Sequence, residues 1–145
     1  MSEASGTTNP LPELEGHAGD FYGFCRQREL RFQRCTECRA WRHVPREMCA
    51  ECGSVAWEWA RSSGRGTVFT WTVVGRALHP AFQEDTPYAP TVVEMDEGVR
   101  LLSQLVDCPP DELEIGMPVE VVFDDVTDDV TLPKFRRRGP EARPF

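Results

Sequence analysis

The chain has 145 residues, 40% of them hydrophobic and 28% charged, with 12 prolines, 11 glycines and a net charge of −8. That length suits one ordinary domain, or a small module joined to a slightly larger one, and it allows a real core. No apolar run approaches the roughly 20 residues that span a bilayer, and the acidic surplus disfavours a protein that tracks a phosphate backbone.

Met1 to Gly19 is polar and acidic, with neither a basic start nor an apolar centre. It reads as a disordered lead-in rather than a secretory signal, which places the protein in the cytoplasm. Residues 20–34 are expected to form a helix, with Asp20 as N-cap and Phe21, Phe24, Cys25, Arg28 and Phe32 near one face. Gly23 weakens that helix, and its aromatic and arginine stripe suits packing on the protein's own body or on a neighbour.

Residues 35–60 hold the strongest signal in the chain. Cys35-Thr36-Glu37-Cys38 and Cys49-Ala50-Glu51-Cys52-Gly53 are two Cys-x-x-Cys turns separated by a short insert. Each turn points two sulfurs at a common centre, and two turns complete the tetrahedron that zinc accepts readily. Four thiolates leave no open position for water or substrate, so the expected ion is structural, one per chain. Its binding free energy of about 10–16 kcal/mol can fold a loop with little core of its own. Rubredoxin-type iron uses the same ligands, but its knuckles usually lie further apart, and the first knuckle here has Arg39 where a glycine is usual. His43, between the knuckles, reads as a surface histidine. Cys25 and Cys108 sit among apolar neighbours and read as buried free thiols. Six cysteines without an export signal argue against a disulfide framework. Val55, Trp57 and Trp59 then alternate in a short strand leaving the module.

From Gly64 onward the pattern is all-β. Phe69, Trp71 and Val73 alternate with Thr70 and Thr72 along residues 66–76. Further strands are expected at 91–95, 99–106, 119–123 and 126–135, with Glu97-Gly98 a turn and 107–111 a Pro-Pro loop. Five short strands with glycine-rich corners predict a small barrel over 61–135, an OB-fold ahead of a sandwich. Residues 77–90 form a long loop rich in proline and aromatics, the kind of element that meets ligands on a rigid scaffold. Charge is segregated: residues 84–130 carry fourteen acids against Arg100, whereas the last thirteen residues carry Lys134, Arg136, Arg137, Arg138 and Arg143 against Glu141, and residues 136–145 read as a basic tail.

The order of these pieces resembles a known family. The motifs are the Phe- and Arg-rich helix, the four-cysteine ribbon with Pro45-Arg46 before its second knuckle, and Trp57 leaving it. They continue with Gly64-Arg65-Gly66-Thr67-Val68, Pro87-Tyr88, the run from Val92 to Leu102, and the run from Gly116 to Phe123. Over residues 21–137 the chain is similar to the acyl-CoA-associated OB-fold proteins with an N-terminal rubredoxin-like zinc ribbon, formerly a domain of unknown function.

The resemblance implies an accessory subunit. Members accompany thiolase-like enzymes, including lipid-transfer-protein-like thiolases that act as steroid side-chain aldolases, and some are fused to or partnered with MaoC-like enoyl-CoA hydratases. In the family the barrel contributes to the CoA channel, while helix and ribbon help to dock the partner. On that reading Phe21, Phe24 and Arg28 dock the enzyme, and His79, Phe82 and Tyr88 border the acyl-pantetheine path. Arg136, Arg137 and Arg138 become candidates for the CoA phosphates. The residues agree on one point: of His17, His43 and His79 only His79 falls in a plausible ligand loop, and Cys25 and Cys108 lack a recognisable nucleophile motif, so a partner would supply the catalysis. A nucleic-acid-binding ribbon and barrel, stacking bases on Phe69 and Trp71, is the alternative, and the acidic barrel disfavours it; an independent enzyme is a third reading.

Overall fold

The computed structural model describes residues 15–73 and 89–138. Helix α1 (Gly16–Arg26) begins ahead of Asp20, which therefore lies inside it rather than at its cap, and it stops well short of Arg34. The stop is a left-handed turn at Arg28 (φ 66°). There the N–H groups of Arg28 and Glu29 donate to the carbonyls of Cys25 and Phe24 at 2.9 and 3.0 Å, closing the helix end. Phe21 and Cys25, one turn apart, form its buried side. Beyond the turn the inward residues are Leu30 and Phe32, 2% and 0% exposed. That spacing of two belongs to a strand and not to the expected helix.

Phe32 accordingly lies in β1 (Arg31–Cys35), the centre of a three-stranded antiparallel sheet. Its neighbours are β2 (Trp41–Arg42) and β3 (Trp57–Arg61). The register sets Cys35 opposite Trp57 and Phe32 opposite Ala60.

The second sheet has five strands: β4 (Arg65–Trp71), β5 (Thr91–Met95), β6 (Arg100–Ser103), β7 (Pro118–Asp125) and β8 (Thr131–Arg137). They lie in the order β6-β5-β4-β7-β8. A parallel bridge between Leu105 and Phe135 brings the two ends together. The circuit is that of a five-stranded, partly open Greek-key barrel, the OB-fold. A single-turn 3-10 helix (Pro110–Glu112) lies between β6 and β7. The final strand runs on through Arg136 and Arg137, which belong to the barrel and not to a separate tail.

Two local features shape β4. Gly66 sits so close to β5 that an added Cβ would lie 2.5 Å from the Glu94 carbonyl oxygen, so only glycine fits. A bulge between Val68 and Thr70 then shifts the register. Val68 faces the interior, opposite Val93, while Phe69 is 40% exposed, so the expected alternation breaks.

One hydrophobic core joins all the parts: Phe21 and Cys25 from α1, Leu30 and Phe32 beside the ribbon, and Val68, Val93, Val119 and Phe135 from the barrel. The helix packs against β7 and β8.

Candidate metal centre and the faces around it

The two knuckles are built alike. In the first, Cys35 N–H donates to the Ala40 carbonyl at 2.8 Å, and Arg39 N–H to the Cys35 carbonyl at 3.0 Å. In the second, Cys49 N–H donates to Ser54 at 2.8 Å, and Gly53 N–H to Cys49 at 2.9 Å. Arg39 (φ 69°) and Gly53 (φ 79°) occupy the same left-handed position, so the arginine adopts the glycine conformation without altering the turn.

These turns converge the four sulfurs. Cys35 and Cys52 lie 3.6 Å apart, as do Cys38 and Cys49, and all four ligand atoms fall within 4.8 Å of one another. Zn–S bonds of about 2.3 Å in a tetrahedron require S–S edges near 3.8 Å, so the set fits a four-thiolate ion and is far too open for disulfides. The backbone N–H groups of Cys38 and Glu37, each 3.4 Å from the Cys35 sulfur, draw that thiol down to about 6. The backbone at Cys52 and Glu51 lowers Cys49 in the same way. Both shifts favour the thiolate that a metal needs at those two positions, whereas the Cys38 and Cys52 thiols are pushed up. Cys35 and Cys49 are buried, whereas Cys38 and Cys52 face outward.

Beside the centre, Gln33 is fully buried and its Oε1 accepts from Arg42 Nε and from Arg46 N–H, both at 2.7 Å. Arg42 Nη2 donates to the Arg46 carbonyl at 2.9 Å, and the guanidinium lies over Trp57. His43 is not a surface residue. Its ring packs on Phe21 and Phe32, at 5.0 and 5.2 Å between centroids, and burial pushes its pKa down to about 4.

The proposed docking residues separate. Phe21 is 3% exposed and belongs to the core, so it presents no surface to a partner. Phe24 is half-buried, edge-on to Trp59 at 5.5 Å with the Arg31 guanidinium above it. Trp57 packs edge-on to Trp59 in turn, making a half-buried aromatic row. Arg28 lies past the helix end and pairs with Asp125. Around this module Val44, Met48 and Val55 are exposed.

Of the residues assigned to the ligand path, His79, Phe82 and Tyr88 lie outside the described residues. Arg136 pairs with Glu120 at 2.7 Å and Arg137 with Glu112 at 2.9 Å, so both guanidiniums are engaged by carboxylates. Arg138 donates its N–H to the Pro118 carbonyl. Cys108 is half-exposed rather than buried, its sulfur 3.7 Å from the Pro109 carbonyl. Phe69 lies beneath the Arg100 guanidinium, 3.8 Å from the ring centroid.

An apolar groove of about 690 Å³ opens where β6 and β8 diverge, floored by Phe21 and Tyr22 and edged by Val44, Leu102 and Pro133. A second cleft of about 350 Å³ lies between the ribbon and the β5–β6 turn, and His43 and Arg100 line both. Sequence reasoning missed this pair of cavities. The Trp41-Arg42-His43 run was its only signal, and a short polar stretch between knuckles reads equally well as solvent-exposed loop.

Two family models match consecutive stretches of the chain: the ChsH2 rubredoxin-like zinc ribbon domain over residues 24–58, and the ChsH2 C-terminal OB-fold domain over residues 59–124. A probable enoyl-CoA hydratase alpha subunit of Thermomonospora curvata is 37% identical over 91% of this chain. The chain spans only 41% of that protein's length. A DUF35 domain-containing scaffold protein of Methanocaldococcus jannaschii is 37% identical, covering 66% of this chain and 68% of the scaffold protein. Among solved structures, a chain of the Ltp2-ChsH2(DUF35) aldolase superposes with a TM-score of 0.79 at 37% identity, covering 88% of this chain and 98% of that one. Among the described residues no helix is long and apolar enough to cross a membrane.

Proposed function

This chain belongs to the DUF35 family, with a ChsH2-type zinc ribbon and OB-fold domain, and from that premise we propose that it is a zinc-stabilised, non-catalytic subunit that docks a thiolase-like enzyme acting on acyl-CoA esters. The observation that carries the reading is the match over nearly the whole of a chain that belongs to an Ltp2–ChsH2 aldolase. The likeness to a hydratase alpha subunit supports a setting in acyl-CoA chemistry, with a MaoC-like hydratase as a further partner in the cytoplasm. Retro-aldol cleavage of a steroid side chain is the reaction this reading assigns to the complex, on the family resemblance set out above.

Zinc sits at Cys35, Cys38, Cys49 and Cys52 in this reading, and its closed four-thiolate shell confines it to a structural role. Docking rests on the half-buried row of Phe24, Trp57 and Trp59, since aromatic side chains carry a disproportionate share of interface energy. The apolar groove edged by Val44 and Leu102 has the size and lining of a site for the acyl-pantetheine arm.

Co-expression with candidate thiolase-like enzymes, followed by affinity capture and acyl-CoA assays, tests the proposal. The expected result is a stable complex that turns over CoA esters while the isolated subunit does not. Phe24→Asp is expected to abolish co-purification and to leave the zinc bound. Turnover by the isolated chain at about 1 per second or faster would overturn the accessory role.

A further inference from the structure

The cleft between the ribbon and the β5–β6 turn is lined by Arg42, His43, Arg46 and Arg100, with Glu51 the only acid among its lining residues. Two of these side chains carry buried atoms with no hydrogen-bond partner, Arg42 Nη1 and His43 Nδ1. A buried guanidinium N–H left unmet is costly, and it can be satisfied only by an acceptor. Arg42 is moreover fixed in place: Nε is held by the buried Gln33 and Nη2 by the Arg46 carbonyl, with Trp57 across its face. Nη1 is the nitrogen that meets no acceptor among the described residues. The guanidinium of Arg46 has no ion pair among the described residues, and that of Arg100 lies 3.5 Å from Glu94 and over the Phe69 ring. The nearby acids of the turn are committed elsewhere, Glu97 to Ser62 and Ser63 and Asp96 to Ser63.

We infer that this cleft is an oxyanion site that takes the phosphate of a small phosphorylated ligand, free or esterified. Arg42, Arg46 and Arg100 all line one open cleft, and arginine binds phosphate oxygens in charge-assisted pairs. The volume of about 350 Å³ admits a diphosphate with part of an attached organic group. The site needs no docked enzyme, so it goes beyond the accessory role and stands or falls apart from it. Arg136 and Arg137 do not offer an equal alternative, because each already holds a carboxylate.

The test titrates the full chain, purified with its metal, against inorganic pyrophosphate and against ADP, by calorimetry at low chloride. The expected result is one site per chain, weakened at least tenfold by Arg46→Ala and unchanged by Arg136→Ala. Arg46→Ala removes only the side chain, so the backbone bond to Gln33 that orders the cleft survives. The Arg42 Nε–H resonance is expected to move on titration in the wild type, a direct report on the cleft. Equal affinity for the two probes marks a site for the phosphate alone, whereas tighter binding of ADP marks recognition of the organic part as well. Either supports the inference. No binding of either probe at millimolar concentration overturns it, leaving these arginines only to offset the thiolate centre. Binding that persists undiminished in Arg46→Ala overturns it too.

Discussion

Arg28 and Asp125, 97 residues apart in the chain, meet in a two-pronged ion pair at 2.8 and 2.6 Å. The contact ties the turn that ends α1 to the last residue of β7, so the helix is fastened to the barrel by charge as well as by the shared core. Arg28 and the hydroxyl of Thr131 hold the Asp125 carboxyl well below the usual carboxylate range. A carboxyl lowered in the folded state stabilises the fold above its unfolded pKa and loses that contribution as the pH falls. Arg28→Gln should therefore lower the melting temperature at pH 7, modestly because the pair is half-exposed. The deficit should begin to close below about pH 4. A deficit that is the same at pH 7 and pH 2.5 would assign the loss to the left-handed turn instead.

The four-cysteine centre predicts one zinc per chain by elemental analysis of freshly purified, unoxidised protein. Cys35→Ser or Cys52→Ser should release the ion and unfold the ribbon, since about 10–16 kcal/mol of binding is folding free energy for such a module. Cys25 is buried in the core and its thiol is pushed up to about 12 by burial, so Cys25→Ser should cost stability but leave the metal in place. A red, iron-containing preparation would instead assign the centre to rubredoxin-type iron.

His43 gives the fold an acid sensitivity of its own. Unfolded, an imidazole binds its proton near pH 6.5; folded between Phe21 and Phe32, this one does not until about 4. The unfolded state holds more protons across that window, so stability is flat above about pH 6.5 and falls as the pH drops toward 4. Between pH 7.5 and 5.5 the loss should be about 1 kcal/mol in chemical denaturation. His43→Phe keeps a ring in the same slot and should flatten the profile. An equal slope in the variant would show that another group is responsible.

Gly66 offers a test of the barrel's tightest point. With a Cβ placed 2.5 Å from the Glu94 carbonyl and 2.9 Å from Val93, Gly66→Ala must push β4 and β5 apart. A loss of about 1–3 kcal/mol is expected, read as a lower denaturant midpoint. An unchanged midpoint would mean that the bulge at Val68 and Thr70 absorbs the strain.

The sequence by itself determined the metal centre and the barrel. Paired Cys-x-x-Cys turns are local devices: each fixes its two sulfurs within a few residues, so spacing alone carries the geometry to Cys35, Cys38, Cys49 and Cys52. The β pattern was legible for the same reason, because alternation and turn residues are written strand by strand.

Only the tertiary structure decided where α1 ends, because Phe21, Cys25, Leu30 and Phe32 are all apolar and inward, and the change from a period of 3.6 to a period of 2 falls on a left-handed arginine that no propensity marks. The same holds for Gln33, Arg42 and His43, polar residues in an arginine-rich stretch that read as surface. Gln33 is buried, and Arg42 and His43 are half-buried, because β1 pairs with β2 and because Arg42 and His43 face the barrel's β5–β6 turn across the cleft. Burial and charge pairing between segments this distant depend on how the chain returns on itself, and neither Arg28 with Asp125 nor Arg136 with Glu120 can be read from the residues one at a time.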